Sequence, residues 1–401
     1  MGADPPIPIA RPLLGDGEVA AAAAAIRSGW VSQGPKVAEF EARFAAAVGA
    51  PHACAVSSCT AALHLALRAV GVVPGDEVVT VSHSFIATAN AVRYCGATPV
   101  FVDVEPGTFN MDPDTLEAAI GERTRAILCV HQMGMPCDLN RILPIARAHG
   151  LPVVEDAACA IGSEIQVDGV WGKIGQPHGD IACFSFHPRK VLTTGDGGML
   201  TTANPEYDAR FRLGRQHAMS VSDQQRHGAG EVIFEAYTEL GFNYRMTDIQ
   251  AAIGCVQLER LETIVAERRA LAERYLDALA SSIPELGLPL EPEWARSNWQ
   301  SFCVRLPGGR PQKEVMQRML DDGVATRRGI MCAHREPAYE SEPWTCGPGT
   351  GGCGCGSGGC ERLLNSETAQ DRCIVLPLYP GMTDAEVRRV VESLYQSCLP
   401  V

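Results

Sequence analysis

Cys183-Phe-Ser-Phe-His-Pro-Arg-Lys190-Val-Leu-Thr-Thr-Gly-Asp-Gly-Gly198 sets one lysine between an apolar strand and a glycine-rich turn. A lysine is ordinarily a solvated surface charge, but one held in a partly desolvated pocket can shed its proton, and the free amine can then attack a carbonyl. Lys190 in this setting points to Schiff-base chemistry, and with it to pyridoxal phosphate.

The strand before Lys190 is the last of a series. Between residues 50 and 205 short apolar runs alternate with helical patterns: the spacing predicts strands over 52–56, 77–81, 99–104, 126–130, 152–155 and 181–185, and helices over 60–69 and 85–94. Such alternation specifies an α/β fold with a doubly wound, mostly parallel sheet flanked by helices, and ligands at the strands' carboxyl ends. A Thr-x-x-Gln capping box at Thr247-Asp-Ile-Gln250 opens a long helical stretch. The expected organisation is a large domain over 1–250, including a helix through the alanine run Ala20 to Ala25, a linking helix over 251–283, and a small α+β domain over 284–401. In the last, strands are expected at 301–306 and 374–376 and helices at 312–320 and 383–395.

Composition narrows the class. With 401 residues, 46% of them hydrophobic and 20% charged, the chain is long enough for one large and one smaller globular domain. A net charge of −13 argues against a general nucleic-acid binder. The start, Met1-Gly-Ala-Asp-Pro-Pro-Ile-Pro, is not a basic segment followed by an apolar one, and no apolar run reaches membrane-spanning length, so a cytoplasmic location is expected. Most of the 16 cysteines, Cys54, Cys129, Cys183 and Cys303 among them, lie in apolar runs and read as buried free thiols. Cys346, Cys353, Cys355 and Cys360 instead stud a glycine-rich segment that reads as a flexible loop; their spacing lacks paired Cys-x2-Cys knuckles, and no metal is expected.

A cofactor-bearing lysine needs an acid at the pyridine nitrogen, donors for the phosphate and a flat group against the ring. Asp156 ends the apolar run Leu151-Pro-Val-Val-Glu-Asp156, where its charge would keep the ring nitrogen protonated; it would equally serve as the cap of a following helix. Ser57-Ser-Cys-Thr-Ala-Ala62 feeds a helix with small residues, so its backbone N–H groups and the Thr60 hydroxyl form an anion site or an ordinary cap. Ser185 offers another hydroxyl. Phe85, in Ser82-His-Ser-Phe85, is placed either to stack on the ring or to fill the core.

The chain resembles the DegT-type family of pyridoxal-phosphate-dependent sugar aminotransferases, of fold-type I. The resemblance runs from Gly34-Pro-Lys-Val-Ala-Glu-Phe-Glu through Val56-Ser-Ser-Cys-Thr-Ala-Ala-Leu-His-Leu-Ala-Leu67, Pro74-Gly-Asp-Glu-Val78, Gly96-Ala-Thr-Pro-Val-Phe-Val-Asp103, Glu155-Asp-Ala-Ala158 and Phe184-Ser-Phe-His-Pro-Arg-Lys190 to Leu240-Gly-Phe-Asn-Tyr-Arg-Met246 and Leu376-Pro-Leu-Tyr-Pro380. It implies that Lys190 forms the internal aldimine, that Asp156 holds the pyridine nitrogen, and that Thr60, the Ala61 backbone and Ser185 hold the phosphate. It also implies a homodimer with a composite site, in which Asn243 and Arg245 reach the neighbouring subunit's cofactor. Two positions depart from the family pattern. Cys59 stands where relatives usually have Gly, which would strain a turn of positive φ, and Cys159 stands where they place His or Gln over the cofactor's 3′ oxygen, a weak hydrogen-bond donor there.

The implied reaction moves an amino group from an amino acid, L-glutamate in the family, to a nucleotide-linked 3- or 4-keto-6-deoxy sugar or, as the alternative, a cyclitol ketone. Polysaccharide or glycoside biosynthesis would use the product. His131, His187, Arg215, His217 and the segment Arg327-Arg-Gly-Ile-Met-Cys-Ala-His334 are candidates for the acceptor or its diphosphate. Relatives that dehydrate sugars carry histidine in place of the lysine, so Lys190 counts against that class; a cofactor-binding regulatory protein without turnover is a third class that fold resemblance does not separate.

Overall fold

A computed structural model of the chain describes residues 5–221, 230, 232–347 and 359–399. In chain order its first strands are β1 (His52–Val56), β2 (Glu77–Val81), β3 (Thr98–Val102), β4 (Thr124–Val130) and β5 (Val153–Asp156). A hairpin of β6 (Glu164–Val167) and β7 (Val170–Lys173) follows, then β8 (Ile181–Ser185) and β9 (Gly198–Thr202). All but the hairpin join one seven-stranded sheet in the order β1-β9-β8-β5-β4-β2-β3. Only β9 runs against its neighbours.

The pleat sorts the side chains into two layers, because successive residues of a strand point to opposite faces. Ala53, Ala55, Val79, Val81, Ala182 and Phe184 join a core with Phe40 and Phe44 from the helix Pro35–Val48. Cys54, Val56, Val78, Cys183 and Leu200 join the opposite one, under Leu63 and Leu67 of the helix Cys59–Ala69. Both faces are covered, which is why these strands read as continuous apolar runs. A further core gathers Tyr275, Trp299, Phe302, Tyr379 and Leu394 beside an antiparallel sheet of Phe302–Arg305, Cys373–Leu376 and Arg327–Arg328.

Element bounds shift where local hydrogen bonds intervene. The helix expected over 85–94 is Ala87–Tyr94, because the Phe85 carbonyl accepts from Thr88 N–H in a turn just ahead of it. At Thr247 the expected box forms: its hydroxyl accepts from Gln250 N–H at 3.2 Å, and Gln250 Oε1 accepts from Thr247 N–H at 3.1 Å. The stretch it opens is two helices, Asp248–Glu259 and Leu261–Ser282, broken at Arg260. Among the described residues no helix is long and apolar enough to cross a membrane. Cys54, Cys129, Cys183 and Cys303 are all buried and unpaired. Cys346 and Cys360 are also buried, whereas Cys353 and Cys355 lie outside the described residues. No group of three or more potential metal ligands occurs among the described residues.

Candidate active site

Parallel pairing of β5 with β8 sets Asp156 beside Cys183, so both strands deliver their ends to one edge of the sheet. Lys190 follows β8 in a turn closed by its N–H on the His187 carbonyl, 2.8 Å. Its Nζ lies 3.0 Å from Cys159 Sγ, on the loop after β5. Burial works against the ammonium, but the Cys159 sulfur and the Asp156 carboxylate outweigh it, and the Lys190 pKa stands above its ordinary value. The expectation of an amine freed by desolvation is therefore corrected. In the cofactor-free chain its neighbours keep Lys190 charged.

Asp156 is buried, and burial pushes its carboxyl up despite hydrogen bonds from Thr88 Oγ1 at 2.7 Å and Ala158 N–H at 3.2 Å. Those donors are neutral. A cationic ring nitrogen against this carboxylate would offset its desolvation, so the residues present fit a protonated pyridine. Thr88 was not singled out by sequence reading. It lies one helical turn beyond Ser84, whose hydroxyl bonds it at 2.7 Å, and nothing in its spacing marks it.

The small-residue turn is the N-cap of a helix. Ser58, in extended conformation at φ −165°, caps the helix Cys59–Ala69 by accepting from Ala61 N–H at 3.1 Å. This corrects the expected use of the Ala61 backbone: its N–H is taken, whereas those of Cys59 and Thr60 carry no hydrogen bond among the described residues and sit at the positive end of the helix. Cys59 is the first helical residue and is not among those of positive φ, so replacing glycine there strains nothing. Gly198 lets β9 approach the turn, since a Cβ on it would stand 2.5 Å from the Ser58 carbonyl oxygen and 2.7 Å from Cys59 N. Ser185 pairs with Gly198 across the strands, and its hydroxyl accepts from His187 N–H at 3.4 Å. Phe85 is 58% exposed, an aromatic face on the loop that follows β2.

Three expected acceptor ligands are instead structural. His131 is buried, with Nε2 2.8 Å from Glu155 and Nδ1 accepting from Cys137 N–H at 2.9 Å. His334, also buried, bonds Ser82 Oγ at 2.6 Å and Glu367 Oε1 at 2.9 Å. Arg215 is buried against Glu41 and the Ala55 carbonyl. Both rings and the guanidinium fasten one element to another, and none is available to a substrate. His187, His217 and Asn243 are exposed; Asn243 pairs with Gln216, and Arg245 with Val56 at the end of β1.

The model of the DegT/DnrJ/EryC1/StrS aminotransferase family matches residues 12–395. The chain belongs to that family. As a DegT/DnrJ/EryC1/StrS aminotransferase it is a pyridoxal-phosphate-dependent transferase of fold-type I, and the histidine-bearing dehydratase class drops away. The chain is 37% identical over 394 residues to the spore coat polysaccharide biosynthesis protein SpsC of Bacillus subtilis (strain 168), covering 97% of this chain and 96% of that one. Among solved structures, S. venezuelae DesV in complex with ketimine intermediate is 33% identical at a TM-score of 0.84, covering 99% of this chain and 100% of that one. DesI, solved in the presence of its TDP-sugar product, is 29% identical at a TM-score of 0.84, covering 98% and 94%.

Proposed function

We propose that this aminotransferase moves an amino group from L-glutamate to a nucleotide-linked 3- or 4-keto-6-deoxy sugar, in polysaccharide or glycoside biosynthesis. The observation that carries the reading is the convergence of Lys190, the buried Asp156 carboxylate and the open N–H groups of Cys59 and Thr60 on one edge of the sheet. The sugar is supported by the spore coat role of SpsC and the TDP-sugar product of DesI.

Pyridoxal phosphate, when bound, supplies an electron sink that lets an amine pass from one carbon to another. Asp156 holds the ring nitrogen in its cationic form. Cys59 and Thr60 N–H, the Thr60 hydroxyl and Ser185 hold the phosphate, and Phe85 covers the ring. Lys190 would be the base that takes the proton from the donor's Cα. Arg189, which carries no ion pair among the described residues, and His187 are both exposed and suited to an acceptor's diphosphate. We further infer a cytoplasmic homodimer: Val232, Phe234, Tyr237 and Leu240 are exposed just before Asn243, an apolar stretch that a second copy would cover while Asn243 and Arg245 reach its cofactor. The division into domains at 1–250, 251–283 and 284–401 belongs to the same reading.

The test is to convert the enzyme to its pyridoxamine form with glutamate, then offer a panel of nucleotide keto sugars and cyclitol ketones. The expected result is that a nucleotide 3- or 4-keto sugar restores the original absorbance. Restoration only by a cyclitol ketone would overturn the acceptor, and absence of any glutamate half-reaction would overturn the donor.

A further inference from the structure

Lys190 and Cys159 are held from outside their own loops. Asn298, fully buried, donates through Nδ2 to the Cys159 carbonyl at 2.7 Å and the Ile161 carbonyl at 2.8 Å. Two residues on, Gln300 Nε2 donates to the Arg189 carbonyl at 2.9 Å, one residue before Lys190. Trp299 between them packs into the other core, its ring stacked on Phe302 at 5.6 Å.

The arrangement is forced rather than relaxed. Trp299 has a φ of 50° and Met133 one of 57°, left-handed values that non-glycine residues adopt only when the surroundings hold them there. Gly134, next to Met133, has a φ of 96°, and a Cβ on it would collide with Asn298 Oδ1. Behind the segment, on the helix Leu261–Ser282, the buried Arg268 donates at 3.2 Å to each of the carbonyls of Trp299, Gln300 and Leu378. It has no carboxylate partner among the described residues, and burial pushes its guanidinium down to about 10. Nearby, Arg269 Nε holds the Ser297 carbonyl at 2.9 Å. A buried cation spent on main-chain oxygens is costly where only packing is needed.

We propose that Asn298 and Gln300 are positioning residues that clamp the main chain on both sides of the Cys159–Lys190 contact and so set where the Lys190 amine stands. The clamp rests on the reading of Lys190 as the cofactor-bearing base. It makes the geometry of that base depend on the C-terminal half of the chain, although every residue proposed to hold the cofactor within the same subunit comes from the N-terminal half.

The experiment uses the full chain with Asn298→Ala, Gln300→Ala, Gln300→Glu and Gln300→Lys. In cofactor-free protein the pH dependence of Lys190 acylation by acetic anhydride is read by peptide mapping, which four lysines make simple. Loss of the clamp loosens Lys190 from Cys159 while leaving it half-buried. The acylation midpoint should therefore fall by about one pH unit in both alanine variants; Gln300→Glu and Gln300→Lys change the charge beside Lys190 and are read by kcat alone. In the loaded enzyme kcat of the glutamate half-reaction should fall on the order of 10²-fold with donor KM nearly unchanged. Gln300→Lys keeps a donor and should stay near wild type. Wild-type midpoints and kcat in folded Asn298→Ala or Gln300→Ala overturn the proposal; should the buried Asn298→Ala fail to fold, Gln300→Ala at the solvent-side contact decides. If Lys190→Ala leaves the cofactor's visible band unchanged, the reading of Lys190 falls instead, and the acylation midpoints alone judge the clamp.

Discussion

Lys190 Nζ stands 3.0 Å from Cys159 Sγ, so a soft sulfur occupies the place beside the amine where the family pattern has a histidine or glutamine. Cys159 is also the one described cysteine that is not buried. Its contact helps to keep Lys190 charged until a cofactor arrives. Cys159→Ala removes a partner that raises the Lys190 pKa and leaves the burial that lowers it. The acylation midpoint of Lys190 in cofactor-free protein is expected to move down, and an unchanged midpoint would show that the sulfur does not act on the amine.

Lys190→Ala is expected to slow the glutamate half-reaction on the order of 10⁴-fold, since it removes the amine proposed to carry the proton. Single-turnover absorbance measurements check this, with added methylamine as a rescue that only a missing amine would allow.

Asp156 offers a test by pH. Its folded pKa is raised by burial, so the folded chain holds the proton more tightly than the unfolded one, and stability falls as pH rises from the ordinary carboxylate range through the folded value. Cofactor-free Asp156→Asn should therefore melt higher than wild type at neutral pH, with the difference vanishing in acid. The loaded variant should transaminate at least about 10²-fold more slowly. A neutral-pH melting temperature below wild type would contradict the account that burial outweighs the carboxylate's hydrogen bonds and its attraction to Lys190.

His83 is buried with both ring nitrogens unpartnered among the described residues, and burial lowers its pKa to about 3. The unfolded chain binds its proton near the ordinary value while the folded chain refuses it, so stability is lost as pH falls from about 6.5 toward 3. Thermal unfolding of His83→Phe against pH should show a shallower loss over that window, with neutral-pH stability equal or higher. A slope matching wild type would mean the ring is protonated in the fold.

Gly198→Ala places a methyl within 2.7 Å of Ser58 and Cys59 main-chain atoms, which must shift the phosphate turn. Cofactor affinity should fall about tenfold or more by equilibrium dialysis, corresponding to ~1.4 kcal/mol or more. Thr202, at the other end of β9, is a useful control for strand stability.

The strands were legible from local signals. Apolar runs bounded by turns located β1, β2 and β8 to the residue, because a strand buried on both faces has nowhere to place a polar side chain. Caps were legible too: Thr247 and Gln250 satisfy each other within four residues. Folding alone decided which polar side chains face a ligand and which are structural. His131, Arg215 and His334 look in sequence like any functional histidine or arginine, and only the placement of Glu155, Glu41 and Glu367 against them turns them into fasteners. In the same way the charge of Lys190 depends on Cys159, 31 positions away, and on a main chain gripped by Asn298 and Gln300 from beyond residue 290. A strand or a cap is settled by neighbours along the chain. The energy of a buried charge is settled by neighbours in space, which periodicity and spacing do not encode.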